Sequence, residues 1–211
     1  MANANKGRGD LWRRLRFVFL AIIIYRIGTH IPIPGIDPAR LAALFEQNQG
    51  TILEMFNLFS GGALERMSIF ALNVVPYISS AIIMQLFQNS IPYLQELKKD
   101  GQAGRNQLTQ YTRYGTVILA FVQASALAVT LGASGLAYQP GTSFFISAVF
   151  SVVAGTVFLM WLGEQITSRG VGNGISLIIS AGIIANLPRA ITTTLQLGRT
   201  GELNASFILF I

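Results

Sequence analysis

Residues 51–95 read TILEMFNLFSGGALERMSIFALNVVPYISSAIIMQLFQNSIPYLQ, and how this stretch divides decides the fold. Its first part, to Ser68, is short, half polar and broken by Gly61-Gly62. The rest carries no charge between Arg66 and Glu96. About 20 apolar residues suffice to cross a bilayer, so the second part is long enough. The first part, holding Glu54, Glu65 and Arg66, is not. Interrupted segments at membrane depth are tolerated only where protein buries them or a water-filled cavity runs beside them. The stretch therefore reads as a stub of helix joined to a full span, beside a pathway across the membrane.

Composition points the same way. Hydrophobic residues make up 52% of the 211 and charged ones 11%, with a mean hydropathy of +0.52, which is a membrane profile. With no cysteine, a disulfide framework and a thiolate metal site are both excluded. The net charge of +6 does not signal nucleic acid, because the basic residues fall in the gaps between apolar runs. Segments 1–16, 96–113 and 164–174 hold ten of the fifteen Lys and Arg, which places the amino terminus in the cytoplasm.

Along the chain, a basic start precedes the apolar run Leu15–Ile31. No small-residue cleavage site follows, so the run is a retained span and not a signal peptide. Arg26 is expected to snorkel from its far end to the interface. Pro32, Pro34 and Gly35 end it, and residues 36–50 read as a short amphipathic surface helix. Pro76, inside the second span, is expected to free the carbonyl of Leu72 and kink the helix. Ser79, Ser80 and Gln85 in that span either bond a neighbouring helix or line a route open to water. Residues 96–113 form a polar, basic loop. From Tyr114 to Gly163 no residue is charged, enough for two spans that turn at 132–141. Small residues recur every four positions, Ala120, Ala124 and Ala128 in one leg and Ser147, Ser151 and Gly155 in the other. That spacing lets helix backbones approach closely. A fifth span follows the turn 164–174, and ASFILFI at 205–211 opens another apolar run, so the chain reads as part of a longer one.

Catalytic motifs do not stand up. Gly132-Ala-Ser-Gly135 matches the pattern of membrane serine proteases, but such a serine needs a histidine base. His30 is the single histidine and sits beside a Pro-rich turn. Gly170-Val-Gly-Asn-Gly174 lacks the strand and lysine of a phosphate loop, so it reads as a tight turn with a helix start at Asn173 or Ser176. No span carries the paired acids of a proton relay. Val74 and Ile78 share one helix face, as do Ile175 and Ile179; such residues either pack against neighbours or lipid, or form an apolar constriction.

Four blocks carry a resemblance: RIGTHIPIPGID (26–37), FNLFSGGALERMSIFALNVVPYISSAIIMQL (56–86), GRNQLTQYTRYGT (104–116) and WLGEQITSRGVGNGISLII (161–179). They resemble the SecY family of bacterial protein-translocation channels. The resemblance implies an all-α membrane protein, the first five-helix half of a ten-helix inverted-repeat channel. Its parts are a cytoplasmic terminus 1–14, span 1 at 15–31, an external segment 32–68 with a plug near 53–68, and span 2 at 69–92. A cytoplasmic loop at 93–113 follows, then span 3 at 114–134, a turn at 135–142 and span 4 at 143–163. The remainder is a turn at 164–172, span 5 at 173–190, a loop at 191–204 and the start of span 6 at 205–211. Val74, Ile78, Ile175 and Ile179 match the apolar pore ring, with Val74 standing where isoleucine is common. Phe56, Asn57, Phe59, Ser60, Gly61 and Gly62 fall in the plug. Ser79, Ser80, Ile83 and Gln85 fall on the lateral gate, and Lys98, Lys99 and Arg105 face cytoplasmic partners. Implied partners are SecE, SecG, SecA or the translating ribosome, signal peptides, nascent chains and lipid, with nucleic acid touched only as ribosomal RNA. No cofactor and no enzyme activity are implied, and the location is the bacterial inner membrane. The alternative from another class is half of an inverted-repeat secondary transporter, which also uses broken helices.

Overall fold

The computed structural model describes residues 2–47, 60–139 and 141–199. Among them are α1 (Ala2–Gly28), α2 (Pro38–Gln47), α3 (Val75–Ser90), α4 (Pro92–Lys99), α5 (Gly101–Ala133), α6 (Thr142–Arg169) and α7 (Gly174–Arg199). Strand-like pairing among the described residues is confined to two isolated bridges, Pro32 with Ser68 and Ile36 with Ala137. The packing runs α3 on α5, α5 on α6 and α6 on α7, with α4 folded back on α5 and α1 against α6 and α7.

α5 and α6 are long and apolar enough to cross a membrane, by length and composition. The faces of α5 are inverted relative to a helix of a water-soluble bundle. Gly104, Leu108, Thr112, Thr116, Ala120, Ala124 and Ala128 form a buried stripe along α5, while Ile118, Phe121, Val122 and Val129 stand exposed. Large apolar groups outside and small ones inside suit helices whose solvent is lipid and whose association depends on close packing.

The helices differ from expectation in three places. The second span does not begin at residue 69; residues 60–74 are a succession of turns, and α3 starts at Val75. Pro76 therefore stands in the first turn of a helix, where its missing N–H is no loss, and not inside a kinked span. The lower end of α3 is set by Pro92, which holds Ile91 extended at φ −102 and ψ 117 before α4 begins. The polar stretch expected as a loop at 96–113 is helical, split between α4 and α5 by Gly101 at φ +67. Gly104 lets the two pack closely, since a Cβ there would overlap the Leu97 carbonyl.

Residues 60–74 sit at the centre of the structure, a non-helical segment that contributes to both large hydrophobic clusters. Met67 and Ala71 join Ile33, Leu41, Ala124, Phe144 and Val152 in one. Ala63, Phe70 and Val74 join Val18, Tyr25, Leu159, Ile166 and Ile178 in the other. Its backbone is tied down: the Ile33 N–H donates to the Met67 carbonyl at 2.8 Å and the Ile69 N–H to Ile31 at 3.0 Å. Such bonds are what allow irregular backbone to persist where water is scarce.

Candidate functional site

The site is the junction of α3, α7 and the turn segment. Val74, at the end of the turns, is buried with 1% of its surface exposed. Ile78, one turn along α3, is half-buried and packs on the same cluster, as do Ile175 and Ile179 of α7. Four aliphatic side chains expected on two faces therefore meet in one interior cluster. α7 is placed by its own start. The Asn173 carboxamide accepts from the Ile175 N–H at 3.0 Å and from Ser176 at 3.3 Å. The Gly174 N–H donates to the Thr167 hydroxyl at 2.8 Å. The glycine-rich stretch is thus a tight turn capped by Asn173, as its sequence suggests.

Ser60, Gly61 and Gly62 are buried. Phe56, Asn57 and Phe59, expected in the same element, lie outside the described residues. The Tyr25 hydroxyl donates to the Ser60 carbonyl at 3.2 Å, and the Arg26 guanidinium to the Gly61 carbonyl at 3.1 Å. Arg26 thus reaches toward the turn segment. Phe70 lies between two aromatic neighbours, 6.1 Å from Tyr25 and 5.9 Å from Phe158 by ring centroids.

On α3, Ser79 is half-buried, while Ile83 and Gln85 are exposed together with Ile82, Leu86 and Phe87. Ser80 does not share that open face. It is buried, and its hydroxyl donates to the Thr112 carbonyl of α5 at 2.7 Å, against Gly115 where a larger residue would collide. Lys98, Lys99 and Arg105 are exposed on α4 and α5. At the same end, Arg113 clasps Glu164 in two bonds of 2.8 and 2.7 Å, joining α5 to α6. Ser134 of the protease-like motif donates to the Thr130 carbonyl within its own helix end. The contacts of Tyr25 and Arg26, and the pairing of Gly61 with Gly182, were not read from sequence. A cation within an apolar run is the one signal that pointed there.

A sequence model of the SecY family matches residues 68–211. The chain belongs to the SecY family. Protein translocase subunit SecY of Pseudomonas aeruginosa is 61% identical over 203 residues, covering 96% of this chain and 46% of the relative. The SecY of Escherichia coli K12 is 55% identical over 213 residues, covering 99% of this chain and 48% of the relative. The chain therefore spans about half the length of the curated relatives it matches. Among solved structures, Sec61 in the canine ribosome–channel complex from the endoplasmic reticulum aligns with a TM-score of 0.57 at 20% identity. That alignment covers 82% of this chain and 36% of Sec61. A SecY whose plug domain stabilises the closed state of the translocation channel aligns at 0.54 and 20% identity, over 89% of this chain and 37% of that one. At these identities the likeness speaks for the all-helical fold alone.

Proposed function

We propose that this SecY-family chain forms half of a protein-conducting channel that passes unfolded secretory proteins across the bacterial inner membrane and releases membrane segments sideways into lipid. The observation that carries this is the single interior cluster shared by Val74 at the end of the turn segment, Ile78 of α3, and Ile175 and Ile179 of α7. A collar of branched aliphatic groups can dewet and block ions, yet flex around a passing chain without binding it. Ser60, Gly61 and Gly62 belong to the plug that closes this collar. The exposed face of α3, with Ser79, Ile83 and Gln85, is the lateral gate, and Ser80 acts behind it by fastening α3 to α5. Lys98, Lys99 and Arg105 meet SecA or the ribosome, and SecE and SecG complete the complex. The amino terminus lies in the cytoplasm, as the basic segments direct.

Membership of the SecY family displaces the reading as half of a secondary transporter. Two experiments on the full-length channel test the proposal. Single cysteines replacing Ile78 or Ile179 should crosslink to a stalled secretory chain, and their silence while control positions react would count against the pore. Ile78→Asn and Ile175→Asn should make the resting channel conduct ions; unchanged conductance would contradict the collar.

A further inference from the structure

We infer that Tyr25 and Arg26 form a polar latch on the turn segment, holding it on α1 and α7 at rest, and that its release is a step in opening. The inference rests on the gating role proposed above. Two consecutive residues of α1 hold two consecutive carbonyls, Tyr25 on Ser60 and Arg26 on Gly61. On its other side Gly61 meets α7 backbone to backbone: a Cβ there would come within 2.9 Å of the Gly182 Cα and 3.2 Å of the Arg26 guanidinium. Gly61 is also at φ +67, where side chains are disfavoured. The fit thus needs glycine at the centre and donors on one flank.

The chemistry of the grip explains why it holds and how it lets go. Among the described residues Arg26 is in none of the ion pairs, which join other residues. A guanidinium and two carbonyls packed away from water each need a partner. In a dry resting channel no water competes for these bonds, and the Ser60 carbonyl accepts from the Ala63 N–H as well, at 3.3 Å. Once water enters beside a passing chain it can replace both, so the contact weakens when the pore is wetted. An apolar contact would strengthen under the same change, so the polarity of the latch ties its release to hydration.

The test uses the full-length channel with its membrane subunits, reading resting ion conductance in bilayers and labelling of a cysteine at Ser60 by an impermeant maleimide. Arg26→Met keeps the length of the side chain and removes its donors; Gly61→Ala crowds the segment against the Gly182 backbone and the Arg26 guanidinium together. Losing a charge-assisted hydrogen bond should raise the released fraction about tenfold, so both variants should leak and label faster, while Arg26→Lys stays near the parent. Should Arg26→Met fail to assemble, Tyr25→Phe carries the test, since its ring remains packed on Phe70. Parental conductance and labelling in these variants, with Ile78→Asn leaking, overturn the latch and leave the gating role standing. Silence of Ile78→Asn as well overturns both.

Discussion

Gly155→Ala isolates what holds the turn segment in place. Gly155 lies on α6 where the Ile69 carbonyl presses on it, and a Cβ there would overlap that oxygen and approach the Phe70 ring to 3.1 Å. The obstructing atom is backbone, so no side chain can swing aside. Ile69 is itself held by its N–H bond to Ile31 at 3.0 Å. Relief requires the segment to move by about 1.5 Å, given contact distances near ~3.5 Å. Overpacking of this kind costs ~1–3 kcal/mol, and stretching a buried backbone bond adds ~1 kcal/mol. The sum, about 2–4 kcal/mol, corresponds to a fall in Tm of roughly 2–8 °C for a full-length protein about twice this size. Gly132→Ala supplies the internal control, because nothing lies within 4 Å of a Cβ there and alanine should be neutral or stabilising in a helix. Thermal unfolding of the detergent-solubilised full-length protein, followed by size exclusion, compares the two. A Gly155→Ala protein as stable as Gly132→Ala would refute the claim that this contact seats the segment.

Ser80→Ala should cost only ~0.6 kcal/mol, the usual value for a bond between membrane helices. The Thr112 carbonyl keeps a second donor in the Thr116 hydroxyl at 2.7 Å and is not orphaned; a loss well beyond ~1 kcal/mol in unfolding assays would contradict this sharing. Asn173→Ala should destabilise the start of α7 by ~1 kcal/mol, read as faster amide exchange at Ile175 and Ser176. Asp10 is held below its ordinary value of 3.8 by the Arg14 guanidinium that bonds it, helped by Arg13. Its pairing therefore contributes above that ordinary value and fades as pH falls through the lowered one. Helix content around residue 10 by NMR should drop only at that acidic end, and a loss near neutral pH would contradict the pairing.

Apolar runs, their lengths and the basic gaps between them were legible because composition alone decides whether a segment prefers lipid. The period-four small residues of α5 and the Asn173 cap were likewise local features, readable from spacing. Tertiary contacts decided the rest. Residues 69–74 are apolar enough for helix, yet they remain in turns, because Gly155 admits the Ile69 carbonyl and Ile31 receives its N–H. Those contacts join residues far apart in sequence. The same holds for Arg26, whose run of neighbours suggests an interfacial anchor while the Gly61 carbonyl draws it to the turn segment. It holds too for Ser80, which α5 turns away from the open face of its helix. A sequence states what each segment prefers next to lipid or water. Which buried carbonyl finds which donor depends on where packing brings distant segments together, and that decided the shape of the central segment.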